Sequence, residues 1–249
     1  MKNPAQGQHY AGIADLETIG TGTYHGLLLS SQKRLSHGVS VLANYTWSHC
    51  ISDPWENSLC GPSILPGNRK AFHSNCSSGD TRHIFNLSAV LQMPRFSSPR
   101  LRGLASDWQL SPIIQTRSSQ FFSVTQGVDT ALTGISVQTP NQVGNPYPSD
   151  QSISRWIDRA AFQTPAIGTY GNLGKFNMKG PGVFQFDLAL SRTFGIGEGK
   201  TVQLRSEAFN ILNHANFAPP VSALNSAAFG QIQRAAEPRI LQFAFKFGF

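Results

Sequence analysis

The last nine residues, Leu241 to Phe249, read L-Q-F-A-F-K-F-G-F, apolar at every odd position and small or polar at every even one. Strict period-two alternation belongs to an extended strand with one face in an apolar medium and the other in a polar one. A phenylalanine at the carboxyl terminus itself is unusual for a domain in water, where chain ends fray and are polar. A strand with lipid on one side satisfies both facts. Leu241, Phe243, Phe245, Phe247 and Phe249 then face lipid, while Gln242, Ala244, Lys246 and Gly248 face a polar lumen. Burying each large outward side chain is worth roughly 1.5–3 kcal/mol, and Lys246 turned to the lipid midplane would cost about 2–4 kcal/mol. The register has no latitude.

Composition agrees. Of 249 residues, 40% are hydrophobic but only 13% are charged, against about 25% in an average soluble domain. No run of 18 apolar residues occurs, which excludes helical membrane spans. Apolar residues spread through alternating stretches, with 23 glycines and 15 prolines for turns and loops, fit a transmembrane β-barrel. A soluble all-β protein stays open on composition alone. The net charge of +7 is scattered, with no basic stripe or recognition motif, so no nucleic acid is expected as a partner. Lys and Arg at strand ends suit anionic lipid headgroups equally. Met1-Lys2-Asn3-Pro4-Ala5 has neither the apolar segment nor the cleavage site of an export signal. The expectation for a barrel is therefore a chain that forms the tail of a longer protein. Residues 1–23 show no clear alternation and are read as a lead-in.

Six further segments repeat the closing pattern, for about seven antiparallel strands. Tyr24 to Arg34 carries Leu27 and Leu29 on one face; Val39, Val41, Ala43, Tyr45 and Trp47 alternate with Ser40, Leu42, Asn44, Thr46 and Ser48, and Phe85, Leu87, Ala89, Leu91 and Met93 with Asn86, Ser88, Val90 and Gln92. Trp108 to Thr116 follows, then Phe184 to Ser191, then Val202 and Leu204 against Gln203, Arg205 and Glu207, with a slip near Phe209-Asn210-Ile211 read as a bulge. Ser36-His37-Gly38, Pro94 to Gly103 and Gly195 to Gly199 are short reversals, whereas the links after Trp47, Phe122 and Leu212 are long. Short periplasmic turns and long extracellular loops are the barrel rule. Starting outside at Tyr24, seven passes leave Phe249 in the periplasm. On this reading Tyr45 and Trp47 mark the upper membrane interface and Trp108 the lower one.

Catalytic chemistry is not legible. The seven histidines show no ligand spacing, there is no nucleophile–base constellation or phosphate loop, and no enzyme, metal or cofactor is expected. Cys50, Cys60 and Cys76 all fall at or in the first long loop. One disulfide is expected, Cys60 with Cys76 in first place, with all three free or Cys50 taking part as the alternatives. Gln185, Asp187, Arg205, Glu207, Gln242 and Lys246 are assigned to the lumen. Asp187, Arg205 and Glu207 read as a cross-strand charge ladder, with substrate or plug contact as the functional alternative.

Several stretches together resemble a known family. Asn44 to His49 (N-Y-T-W-S-H), Gly79 to Ser88 (G-D-T-R-H-I-F-N-L-S), Trp156 to Phe162 (W-I-D-R-A-A-F), Gly168 to Asn172 (G-T-Y-G-N), Lys179 to Gly182 (K-G-P-G), Arg205 to Phe217 (R-S-E-A-F-N-I-L-N-H-A-N-F) and the closing strand resemble the carboxyl-terminal barrel of TonB-dependent outer-membrane receptors. The nearest group is the Oar-like receptors with a carboxypeptidase-regulatory-like amino-terminal domain. The resemblance implies residence in the cell outer membrane, in lipid, as roughly the last third of a plugged 22-stranded barrel. The plug, the signal peptide and the segment that engages TonB would lie upstream, so TonB would be a partner only through that region. Phe245, Phe247 and Phe249 would be the signal read by the barrel-assembly machinery. The implied function is active uptake of a large ligand of unknown identity. Loops Ile51 to Asp80 and Gly127 to Gly180 would capture it, with Trp156 and Phe162 as stacking contacts or as residues packed on the rim. The alternatives are a non-transporting adhesion or envelope-organising barrel and, last, a soluble β-sandwich or lipocalin-like binder. Because seven strands leave open edges, and unpaired backbone in hydrocarbon costs several kcal/mol per group, the isolated chain is not expected to insert as a stable monomer.

Overall fold

The computed structural model describes residues 20–53, 68–76, 80–134, 136–197 and 199–249. Seven long strands run up and down: β1 (Gly22–Ser36), β2 (Val39–Ser52), β3 (His83–Gln92), β4 (Trp108–Arg117), β5 (Val183–Gly197), β6 (Lys200–Phe209) and β7 (Ile240–Gly248). They pair antiparallel with their sequence neighbours in one sheet. The class is all-β, as the alternation predicts. Among the described residues the sheet ends on β1 and β7, each paired on one side. No described helix is long and apolar enough to cross a membrane.

Turn chemistry accounts for the short end. His37 and Gly38 have φ of 51° and 75°, the left-handed pair that a two-residue hairpin turn requires. A Cβ on Gly38 would stand 2.6 Å from the Gln92 carbonyl oxygen, so only glycine fits between β2 and β3 there. The β3–β4 reversal holds more than turn residues: it forms a short helix, α1 (Pro99–Ala105), entered through Pro99, whose fixed φ suits a first helical turn. The slip at Phe209-Asn210-Ile211 is the end of β6 and not a bulge. Asn210 turns the chain at φ 49°, and the register shifts fall instead between Lys33 and Ser36 and between Gly195 and Gly197.

Directly paired residues of an antiparallel ladder share a face, and the registers carry two faces across all seven strands. Leu27, Trp47, Leu87, Ile114, Phe186, Leu188, Leu204 and Phe245 belong to one. Asn44, Asn86, Gln115, Gln185, Gln203 and Lys246 belong to the other. On the apolar face Leu27, Trp47, Leu204 and Phe245 are exposed and Leu87, Ile114, Phe186 and Leu188 are half-buried.

The protein's buried core lies elsewhere. Among the described residues every buried hydrophobic side chain except Ala208 sits in the long connections. Phe122, Val124, Ile157, Ala161, Phe162, Leu173, Met178, Leu224 and Phe229 form one cluster contributed by the β4–β5 and β6–β7 loops. Two short ladders, Phe121–Phe122 with Met178–Lys179 and Asn141–Gln142 with Phe162–Gln163, give this loop assembly its frame.

Candidate functional site

The outward face is a band of fixed height. Trp47 pairs with His83 at the loop end of the sheet, and Trp108 pairs with Arg192 at the short-turn end. About ten residues of strand separate the two levels, roughly 33 Å at 3.3 Å per residue and about 25 Å of height at a tilt near 40°. That is the apolar thickness of an outer-membrane barrel. The polar tips of these aromatics are engaged at the two rims. The Tyr45 hydroxyl lies 2.8 Å from Nδ1 of His83, and the Trp108 indole N–H donates to the Leu104 carbonyl at 2.8 Å. Phe245, Phe247 and Phe249 continue the same face to the chain end and are exposed.

The opposite face holds Gln185, Asp187, Arg205, Glu207, Gln242 and Lys246 together by register. Arg205 Nε donates to Glu207 Oε1 at 2.9 Å along one strand. Asp187 stands apart from that ion pair. Its carboxylate accepts from the Gln185 amide at 3.0 and 3.1 Å and from the backbone N–H of Asn210 at 2.8 Å. The Asn210 side chain in turn donates to the His214 carbonyl and accepts from the His214 N–H. In place of the expected cross-strand ladder there is one ion pair along β6, and Asp187 fixes the chain as it leaves β6. The face is not wholly polar: Leu42 and Ile113 flank Ser88, with Val90 beside them on the same strand.

The loop assembly is carried at the end of the sheet marked by Trp47. Backbone hydrogen bonds stitch its loops together: Thr125 N–H to Ser222 O, Leu224 N–H to Thr125 O, Trp156 N–H to Gly230 O and Ile232 N–H to Ile153 O. Gly230 is held at φ 81°, where a Cβ would meet the Ile157 carbonyl at 2.3 Å. Phe162 is buried edge-on to Phe229, and half-buried Trp156 packs on the same cluster and donates its indole N–H to Lys179 O at 3.0 Å. Of the two uses open to Trp156 and Phe162, stacking on a ligand or packing, the contacts here are those of packing. They are packing residues, because the loops carry enough apolar side chains to build a core of their own.

Charge in the loops is used for local order. Backbone N–H groups of Thr133 and Gly134 donate to the Asp129 carboxylate and hold its pKa below the usual carboxylate value. Asp158 is lowered similarly, first by the Ala160 N–H and then by Arg155, whose guanidinium it contacts at 2.6 Å. Burial pushes the Tyr147 hydroxyl up even though the Lys179 N–H donates to it at 2.6 Å.

The disulfide is Cys50–Cys76 and not Cys60–Cys76. The two-residue strand Ser74–Asn75 pairs with Ile51–Ser52, which places Cys76 opposite Cys50 with 5.3 Å between Cα atoms, within bridging distance. Cys60 and most of the lead-in before Tyr24 lie outside the described residues. Sequence reasoning also passed over Arg192. Its signal was there: it follows Phe186, Leu188 and Leu190 in the outward parity of β5, where a cation is costly.

A family model for an outer membrane beta barrel domain matches residues 2–242. No curated protein and no solved structure matches the chain.

Proposed function

The chain belongs to the outer-membrane β-barrel family and resides in the outer membrane, and from that premise we propose that it forms part of the wall and surface of a plugged, TonB-dependent receptor of the Oar-like kind. Its role in this reading is transport without enzymatic chemistry. The observation that carries the proposal is the apolar island of Leu42, Val90 and Ile113 on an otherwise polar inward face. A water-filled pore has no use for such an island, whereas a plug packed against the wall covers it. The remaining partners follow from the same reading: further strands pair with β1 and β7, the barrel-assembly machinery engages Phe245, Phe247 and Phe249, and a large ligand reaches the loop assembly first.

The alternative is a non-transporting adhesion or envelope-organising barrel. Burial of the loop aromatics in their own core favours it, because a compact outer body serves contact with another surface as well as it serves capture. Formaldehyde crosslinking in cells separates the two. A transporter gives a TonB-linked species of the full-length protein that carries this chain. A protein present at normal level in the outer membrane with no TonB-linked species rejects the transport reading and leaves the alternative.

A further inference from the structure

The short-turn end of the sheet carries an open cleft of about 380 Å³ lined by Arg95, Arg102, Asp107, Arg192 and Phe194, among others. It lies on the outward side. Arg192 shares the face of Leu188 and Leu190, and it reaches α1 from that face, donating to the carbonyls of Gly103 at 2.6 Å, Arg102 at 3.3 Å and Leu104 at 3.4 Å. Trp108, on the same face, donates to Leu104 as well. The short helix is therefore folded outward against the membrane surface of the wall, with Leu104 78% exposed where lipid covers it.

Arg192 is 9% exposed, its guanidinium carbon lies 4.7 Å from the Phe194 ring centre and 5.4 Å from that of Trp108, and its Nε is buried with no hydrogen-bond partner. A buried guanidinium with an orphaned donor is expensive unless an acceptor reaches it. Arg102 is held at the rim by the carbonyls of Phe96 and Ser97. Arg95 is mostly exposed, with Asp107 4.0 Å away. Three guanidinium groups against one carboxylate leave the cleft cationic. Beside Arg192 on the outward face is Leu204, and directly above are Leu110 and Leu190.

The geometry points to a binding site for one anionic glycerophospholipid of the periplasmic leaflet, its phosphate among Arg95, Arg102 and Arg192 and its acyl chains along Leu110, Leu190 and Leu204. Arginine forks suit phosphate oxygens, and Trp108 sets the cleft at headgroup level. The site acts as an anchor that fixes the depth of the wall, and it stands whether or not the barrel transports.

The test uses the full-length protein, delipidated in detergent and titrated with phosphatidylglycerol, with bound lipid counted by native mass spectrometry. One tightly held lipid is expected, its affinity falling about five-fold for each arginine removed in Arg95→Gln and Arg102→Gln. Both variants leave Arg192 in place; Arg95 is exposed and makes no hydrogen bond with it, so the Arg95→Gln result stands even where Arg102→Gln loosens the turn that Arg102 holds through Phe96 and Ser97. Arg100→Gln, on the same helix but outside the cleft, is expected to bind as the unaltered protein does. Equal weakening by all three variants means diffuse attraction of a basic rim and overturns the site. Displacement of the lipid by millimolar inorganic phosphate means that the cleft takes free phosphate, and overturns the assignment to lipid.

Discussion

Phe243 in the wall is 77% exposed and Phe162 in the loops is 7% exposed, yet both sit in ordered structure and both are placed by hydrogen-bonded strands. The wall turns its large side chains away from the protein because lipid, not protein, is their solvent; backbone pairing along β1 to β7 satisfies the polar groups that lipid cannot. The loop assembly stands in water and does the reverse, gathering Phe122, Ile157, Phe162 and Phe229 into a core between two connections. One chain thus folds by two rules, and the boundary between them is the aromatic level of Tyr45 and Trp47.

The largest expected effect is on the loop side. In the protein assembled in the outer membrane, Phe162→Ala removes a buried ring and should cost about 3–5 kcal/mol, opening residues 118–182 to protease while the wall strands stay protected. Loss of protection in both together would break the comparison, since the two regions would then be one cooperative unit. Next comes the wall. In the full-length protein, Leu188→Lys should destabilise by about 2–4 kcal/mol in guanidinium unfolding from lipid vesicles. Ala189→Lys, one residue along, faces the lumen opposite Glu207 and should change stability little; equal costs would mean that the two faces are misassigned.

The smallest effect sharpens the loop rule. Asp158 accepts from the Ala160 N–H at a helical turn, so Asp158→Ala should cost about 1 kcal/mol, read as faster amide exchange around residues 155–162. Acid should act on the same groups. Asp129 and Asp158 have lowered folded-state pKa values, so their contribution is fully present above their ordinary value of 3.8 and fades as the pH falls through the lower folded values. Exchange in the loops should rise below about pH 4 while β4 to β6 stay protected. A wall that loosens before the loops on acidification would mean that Asp129 and Asp158 are not the groups on which the first acid transition depends.

Much of the wall was legible because its rule is local. Period two in Phe184 to Leu190 or Leu241 to Phe249 needs no knowledge of neighbouring strands, and short reversals such as His37-Gly38 announce themselves by residue type. The loops were not legible in this way. For Phe162 and Trp156 stacking contact and packing on the rim are both open in the sequence, and nothing near them in the chain reveals that Phe229 and Gly230 arrive to cover them. Asp187 looked like part of a charge ladder because its lumen parity was readable, whereas its actual partner, the Asn210 N–H, depends on where β6 stops. Cys76 looked closest to Cys60, and it was the ladder between Ser74–Asn75 and Ile51–Ser52 that chose Cys50.

By itself the sequence determined that this protein is a wall of alternating strands with an outward apolar face, because each residue's side follows from its parity and the free-energy difference between lipid and water. The tertiary structure decided how the connections behave: which cysteines meet, which aromatics are buried, and that Arg192 turns from an apparent error on the lipid face into the clasp of α1. These depend on contacts such as Arg159 with Ser226 across 67 residues and Asn75 with Phe176 across 101. Such contacts form only once the strands have brought the loop ends together, and no local period encodes them.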